Sequence, residues 1–573
     1  MAYFLKKTMT KKGLYLQIYK SFYDPSKKYG AHKSFKPIGY VDDLITAGIA
    51  DPVAAAQEEV DKLNLEYELT KQANKVKEIS SVSPIRRYGY FPLQIILDGL
   101  NIKGVLDIFQ TTRDFRFNVY DLLSSLVYAR CVNPCSKSKT FHDVLPSLYD
   151  VNKSSYDQIL DACEFLGENY ERIINLLTSR VADKYGVNTD NTYFDCTNFY
   201  FEIDREDDFR RKGPSKEKRT DPIVGLGLLL DSNQIPIAMK LYPGNMSEKP
   251  VLNSVISSLK NGNQITGKTI RVADKGLNCA ANIHDAIASK DGYLFSKSVK
   301  SLSDDDKQWV LNNHIPRTEV RNRDGSVAYT YMSDISDYEY RYYDAEGKLQ
   351  KFTAREKRIV TYNPKLHEKK VYEINRMAEK ARTASVSKAK RSEYGEAGKY
   401  INFLSIQEGE ITGDDIAVTV NEKAIEEDIS LAGYNMLVTS ETALKDEEIY
   451  NIYHNLWRIE ESFKVMKSDL DARPVFLQKE NSIKGHFLIC YIAVLLLRLF
   501  QFKVLGNRFS TEDIVGFLEG FNLVELGNGR YINISMLTNF IEQFADSFVL
   551  PLKNMEFKKQ DLDKFRQRKL IEK

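Results

Sequence analysis

The chain has 573 residues, is 43% hydrophobic and 28% charged, and carries a formal net charge of +2. Those values exclude a disordered tail, a collagenous fibre and a small disulfide scaffold, and leave room for several domains with large cores. A net charge near zero also removes overall basicity as an argument for a nucleic-acid partner, so only the distribution of charge counts.

That distribution is uneven. Residues 1–40 hold nine lysines against Asp24 alone, which points to a polyanion. "GLYLQIYKSFYD" predicts a strand, "PSKKYG" a turn and "HKSFKPIGYV" a second strand. A helix is expected from about Pro52 to Lys75, with proline in its first turn. Residues 1–80 are thus expected to form a basic β-sheet module with a helix that binds DNA. Lys11, Lys12, Lys33 and Lys36 are its candidate backbone contacts. Residues 81–188 read as helical, with "NVYDLLSSLVYARCV" and "YERIINLLTSRVADKYG" clearest.

Residues 189–300 change character. "TYFDCTNFYFE", "DPIVGLGLLLD" and "QIPIAMKLYPGN" read as strands, followed by a helix near Val251–Leu259, a strand "TIRVADKG", a helix "CAANIHDAIAS" and a strand "GYLFSKSV". This predicts an α/β fold with a mixed sheet. Residues 301–430 are charged and tyrosine-rich and read as a mainly β insertion, with a basic helical run "INRMAEKARTASVSKAKR". The α/β pattern resumes over 431–500 with "GYNMLVTS" and the helix "YHNLWRIEESFKVMKSDL", and 501–573 is expected to be helical. "FLICYIAVLLL" is an apolar run of 11 residues, too short to span a bilayer, and reads as a buried helix. The lysine-rich start lacks the apolar segment of a signal peptide, and six cysteines imply no disulfide framework, so a cytoplasmic protein with no membrane partner is expected.

Three acids occupy unusual positions. Asp195 interrupts a run of aromatic and β-branched residues, where a carboxylate is disfavoured. Asp274 ends a predicted strand before Gly276, at the sheet edge where ligands gather in open α/β folds. Glu460 lies between Ile459 and Phe463 on a helix that also carries Tyr453 and Lys467 at intervals of seven residues, on one face. Taken singly, each has an ordinary alternative: a hydrogen-bonded edge aspartate, a turn aspartate, and a surface glutamate paired with Lys464. Together they form a carboxylate set of the kind that Mg²⁺ or Mn²⁺ prefers, able to hold two ions for phosphodiester chemistry. Paired carboxylates also serve glycoside hydrolysis, but the lysine-rich arm has no role there. Polar and basic residues nearby are candidate DNA contacts: Tyr453, Arg458, Lys464 and Lys467 on the helix, and Arg211 and Lys212 in the basic run Arg205–Arg219.

The spacing Y-x2-R-x3-E-x6-K is matched at Tyr453, Glu460 and Lys467, with Leu456 where arginine is expected. With it, "YFDCTNFYFE", "RVADKGLNCAANI", the run from "GPSKEKRTDPIVG" to "YPGNMSE", and "IKGHFLICYIAVLLLRLFQ" occur in the family's order. The sequence resembles DDE transposases of bacterial insertion sequences. The resemblance implies a ribonuclease-H-like mixed sheet with a β-rich insertion before the catalytic glutamate helix, flanked by the basic module and helical domains. It implies that Asp195, Asp274 and Glu460 are catalytic and hold divalent metal, Mg²⁺ or Mn²⁺, as two ions. It further implies that the protein cleaves the ends of its own element in double-stranded DNA, joins the 3′ ends to target DNA as a homodimer in a synaptic complex, and works at the bacterial nucleoid. A catalytically silent DNA-binding descendant of such an enzyme is the alternative.

Overall fold

The computed structural model describes residues 3–24, 29–73, 83–217, 219–312, 314–344, 346–383, 391–405 and 416–570. Lys27 and Lys28, the end of the expected helix at Lys75, and the part of the basic helical run over 384–390 lie outside the described residues. The chain divides into two compact units, Met1–Ser83 and Pro84–Lys573.

In the first unit, strands β1 (Tyr3–Thr10), β2 (Gly13–Asp24) and β3 (Tyr29–Tyr40) form an antiparallel sheet, followed by a short helix α1 (Val41–Thr46) and α2 (Pro52–Ala73). Alternation decides which face is covered. Tyr3, Ile18 and Val60 meet under α2, with Leu5 and Ile38 packed beside them. Asn64 of α2 brackets Tyr3, accepting from its N–H at 2.8 Å and donating to its carbonyl at 2.9 Å. The sequence predicts two strands here. The third, β1, is short of apolar alternation because lysines and threonines fill its end.

The second unit opens with a short strand β4 (Ile85–Arg87) and helices α3 (Phe91–Gly99), α4 (Lys103–Gln110), α5 (Val119–Val132), the single turn α6 (Lys137–Lys139), α7 (Tyr156–Glu168) and α8 (Tyr170–Tyr185). Then come β5 (Asn191–Tyr200), β6 (Ile223–Leu230), β7 (Pro236–Pro243), α9 (Lys249–Asn261), β8 (Ile270–Ala273), α10 (Ala280–Ala288) and β9 (Gly292–Lys297). After a helix α11 (Asp304–Leu311), three strands follow: β10 (Thr318–Arg321), β11 (Val327–Tyr343) and β12 (Leu349–Tyr362). Next are α12 (Pro364–Arg382), the hairpin β13 (Ile401–Ser405) and β14 (Ile416–Val420), α13 (Glu422–Ser430) and β15 (Tyr434–Thr439). Helices α14 (Asp446–His454), α15 (Trp457–Lys464) and α16 (Glu480–Arg498) complete the core.

One mixed sheet of nine strands organises this unit, in the order β10-β11-β12-β15-β9-β8-β5-β6-β7. β8 runs parallel to both β5 and β9, and the other pairings are antiparallel. Every residue of β6 is buried, as a strand covered on both faces requires, which explains its unbroken apolar run. One face meets α9 and α10 through Phe194, Leu229, Ile256 and Ile283. The other meets α14–α16 and the N-terminal helices through Tyr193, Phe199, Leu228, Ile459 and Phe487. Helices α7 and α16 cross so closely that a Cβ on Gly167 would lie 1.7 Å from the Asn481 carbonyl oxygen, and one on Gly485 would lie 1.9 Å from that of Cys163. Only glycine fits there.

The mainly β region joins the sheet: the second half of β12 pairs with β15, so β10–β12 extend the same sheet. Only the small cluster around Ile374, Tyr400, Ile401 and Ile425 stands apart. The region 501–573 is not purely helical. Strands β16 (Asn522–Gly527), β17 (Arg530–Asn533) and β18 (Glu556–Lys558) join β4 in a four-stranded sheet; the turn between β16 and β17 is made at Asn528 and Gly529, both with positive φ. The apolar run lies in a helix that continues through a π turn from Glu480 to Val504, 25 residues long and 83% buried over its most apolar window. By length and composition it passes as a membrane span, yet it is enclosed by protein.

Candidate active site

Register places the two aspartates. Tyr193 pairs with Val272 and Phe194 with Ala273 across the parallel β5/β8 ladder. Next along the chain come Asp195, within β5, and Asp274, the first residue past the end of β8. Tyr193 and Val272 face the α14–α16 side while Phe194 and Ala273 face the other, so alternation turns both aspartates toward α14–α16.

Their surroundings differ. Asp195 Oδ1 accepts the Cys196 N–H at 2.7 Å and lies 3.7 Å from Lys216 Nζ. Burial pushes its carboxyl up to about 6, against the pull of Lys216 and the Cys196 N–H, and Glu248 and Asp274 push the same way. Asp274 Oδ1 accepts from Ser296 Oγ at 2.8 Å and from the Tyr453 hydroxyl at 3.3 Å. Tyr453 is itself pushed up by burial and by the charges of Asp274 and Asp195, so one phenol senses both acids.

The helical arm is not the single helix that the seven-residue spacing predicts. α14 stops at His454, and Asn455 and Leu456 form a tight junction with i→i+3 bonds such as Leu456 N–H to Tyr453 O at 2.9 Å and Ile459 N–H to Leu456 O at 3.1 Å. α15 then runs to Lys464 and passes into a π turn over Val465–Asp469. Tyr453, Glu460 and Lys467 therefore sit in three segments. Leu456 is buried in the core, where arginine would be stranded, and Asn455 beside it draws the Tyr193 pKa down against the effect of burial.

Glu460 is exposed in the first turn of α15 and makes no hydrogen bond or ion pair among the described residues; the alternative pairing with Lys464 is not formed. Among the described residues no three histidine, cysteine or acidic side chains lie together as a metal-holding group. The structure thus brings Asp195 and Asp274 side by side and leaves Glu460 apart, on the helix packed over the same face.

The candidate DNA contacts are placed unevenly. Lys464 is exposed and forms no hydrogen bond or ion pair among the described residues. Lys467 is half-buried, 3.4 Å from Glu217 Oε1 and above the Phe199 ring, and burial lowers its pKa. Arg458 lies against Trp457 and Phe502, with a buried Nε that has no partner among the described residues. Arg211 is held by Glu206 at 3.6 Å and Asp208 at 3.0 Å, while the Lys212 side chain is exposed. In the first unit, Lys11 and Lys12 occupy the exposed β1–β2 turn, Lys33 stands opposite Lys20, and Lys36 pairs with Glu59 of α2 at 2.5 Å. The face away from α2 instead carries Phe4, Lys6, Tyr19 and His32, with Lys6 4.6 Å over the Tyr19 ring.

Sequence reasoning missed Lys216, Glu217, Ser296 and Arg473. Arg473 and Lys467 both bind Glu217, which they hold below the usual carboxylate range against the effect of burial. Lys216 and Glu217 were visible only as members of a basic run, and Ser296 carried no signal beyond its strand.

No curated protein matches this chain. Among solved structures, it is similar to a piggyBac transposase synaptic complex with hairpin DNA, determined by cryo-electron microscopy, at 10% identity and a TM-score of 0.37, over 75% of this chain and 78% of that one. The family model described as "Transposase DDE domain" matches residues 201–496, a span that contains Asp274 and Glu460 and begins just after the strand of Asp195. That match covers more than half of the 573 residues, and the chain belongs to the DDE transposase domain family.

Proposed function

We propose that this protein is a DNA transposase that binds the ends of its own insertion sequence, cleaves them by metal-dependent phosphodiester hydrolysis, and joins the 3′ ends to target DNA by transesterification. The observation that carries the reading is the Asp195–Asp274 pair, set by strand register on one face within a chain of this family. The run β5, β6, β7 antiparallel, then β8 and β9 parallel beside β5, supports a ribonuclease-H-like reading of the sheet.

The pair fits a divalent cation. It offers hard oxygen donors, and Asp195 holds a charge that burial disfavours. Glu460 does not complete the set as placed. When bound, divalent metal supplies activation of water or a 3′ hydroxyl and stabilisation of the leaving oxygen. The chain's own groups prepare the site. Ser296 and Tyr453 fix one oxygen of Asp274 and leave the other open, Lys216 balances Asp195, and the exposed Lys464 and Lys212 offer contacts to phosphates. A homodimer bridging two DNA ends belongs to the same reading.

The test is nicking of duplexes drawn from the DNA flanking its gene, in Mg²⁺ and in chelator. Mg²⁺-dependent nicks at discrete positions support the proposal. Binding without any nicking supports the second reading, a silent DNA-binding descendant, which the separation of Glu460 and the buried Leu456 favour.

A further inference from the structure

Away from the aspartates, a cavity of about 330 Å³ is lined by Arg130, Lys137, Tyr156, Phe476 and His486, among others. Lys137 and Arg130 are only 7% and 4% exposed. Arg130 Nη1 donates to the carbonyls of Leu470 and Asp471, both at 3.3 Å. Lys137 Nζ lies 3.2 Å from His486 Nδ1, and His486 Nε2 lies 3.0 Å from the Ala472 carbonyl. A carbonyl only accepts, so Nε2 carries the ring proton and Nδ1 accepts from the lysine. His486 is therefore neutral. Burial, then the charges of Lys137 and Arg130, hold it well below its ordinary pKa.

Two buried cations thus share a cavity, and among the described residues no carboxylate is paired to either. Asp471 lies on the lining, but its exposed side chain forms no ion pair among those residues. Burial, then the Arg130 charge, pushes Lys137 down to about 8. Buried charge without a counter-charge is costly unless a ligand supplies one. Of the three donors on the ammonium, His486 takes one.

The cavity also adjoins the site of the aspartates through the chain itself. Asp471 and Pro474 line it, while Arg473 between them turns to Glu217, the partner of Lys467. Adjacent residues are only about 3.8 Å apart along the chain, so one short loop touches both places. At the cavity stands Phe476, 64% exposed, with Tyr156 also on the lining. An exposed aromatic beside buried cations suits a nucleotide, whose phosphate seeks charge and whose sugar or base seeks a flat apolar surface.

We propose that this cavity receives one phosphodiester group of a bound DNA strand, with Lys137 and Arg130 meeting the phosphate and Phe476 covering the adjoining sugar or base. The inference rests on the protein acting on DNA.

The experiment measures duplex affinity against salt for the full chain, for Lys137→Met and Lys137→Arg, and for Phe476→Ala, each first shown to melt cooperatively. Each phosphate contact contributes a slope of about −0.9 in log K against log salt on duplex DNA. Lys137→Met is expected to lower the slope by about one contact and to weaken binding by about 5–10-fold near 0.1 M salt. Lys137→Arg keeps the slope. Phe476→Ala weakens binding by about 5-fold or more with the slope unchanged. If Lys137→Met and Phe476→Ala both bind as the wild type does, the inference is overturned while the DNA reading stands. If Lys137→Met does not fold, Phe476→Ala decides alone, and unchanged affinity overturns the inference. Inorganic phosphate is the competing probe. If it raises the melting temperature of the wild type but not of Lys137→Met, while duplex affinity is equal in all variants, the cavity serves a free anion and the inference is overturned. Failure of the wild type to bind any duplex overturns both readings.

Discussion

The strands that carry Asp195 and Asp274 and the helical arm that carries Tyr453, Glu460 and Lys467 position their side chains by different means. On the strands, backbone pairing fixes the relation: once Phe194 stands beside Ala273, the two aspartates come next on one face. On the arm, the chain is a helix, a tight junction at Asn455–Leu456, a second helix and a π turn. Each break rotates the next segment about the helix axis, so a period of seven no longer means one face. The aspartates are tied in by Ser296, Tyr453 and Lys216, whereas Glu460 has no tie among the described residues. A rigid pair and an untethered third acid is the resulting contrast.

The largest effects should separate the two regions by activity and stability together. Asp195→Asn and Glu460→Gln are each expected to slow Mg²⁺-dependent nicking by ~10³-fold, the scale of losing several kcal/mol of charge stabilisation. Glu460→Gln should leave stability within about 0.5 kcal/mol, because an exposed side chain without partners holds nothing in the fold. Denaturant melts and a nicking assay on the same preparations give both numbers. Wild-type nicking by Glu460→Gln would detach that residue from the aspartates.

Next in size is the junction. Leu456→Arg puts arginine where the Y-x2-R-x3-E-x6-K spacing expects it but buries a charge in the core, and should cost about 3–5 kcal/mol. A variant that keeps its melting temperature would show that the arm swings the side chain outward, and that the junction is looser than the strands.

Asp195 itself supplies a pH test. Burial raises its carboxyl from 3.8 to about 6 in the folded, metal-free protein. The fold therefore binds that proton more tightly than the unfolded chain does. The resulting stability is fully present below the unfolded pKa and is lost as pH rises through the folded one. Above that window the ionised side chain costs about 2–3 kcal/mol. Asp195→Asn should melt higher than the wild type at neutral pH in chelator, and the two curves should converge near pH ~4. Parallel curves at all pH values would remove burial as the cause.

How much of this was legible in the sequence obeys the same division. The strand runs of β5, β6 and β7 were readable because composition and length mark buried strands, and Asp195 stood out by contrast with its neighbours. Pairing of β5 with β8 was not readable, since Asn191 and its ladder partner Ile270 lie far apart in the chain and several sheet orders suit the same runs. On the arm, the spacing suggested one continuous helix because nothing in "YHNLWRIEE" breaks a helix. Its interruption comes from tertiary packing, with Leu456 drawn into the core and Asn455 drawn to Tyr193. Lys36 illustrates the cost of counting charge without faces: it belongs to a basic strand, yet pairs with Glu59 of the helix behind it.

The smallest predicted effect probes the residue of the arm that bonds to Asp274. Tyr453→Phe removes the hydroxyl that donates to Asp274 Oδ1 and leaves the ring in place. Ser296 still donates to the same oxygen, so Asp274 keeps one partner and the fold should lose only about 1 kcal/mol. Activity should fall further than stability, by about 10-fold, because a carboxylate free to turn no longer holds its open oxygen toward the substrate. The double variant Tyr453→Phe, Ser296→Ala then measures the coupling. If the two hydroxyls act on one oxygen, the combined loss of nicking exceeds the sum of the single losses expressed as free energies. Strict additivity would mean that the two hydroxyls act on Asp274 independently, and wild-type nicking by Tyr453→Phe alone would mean that the arm contributes nothing to the aspartate it covers.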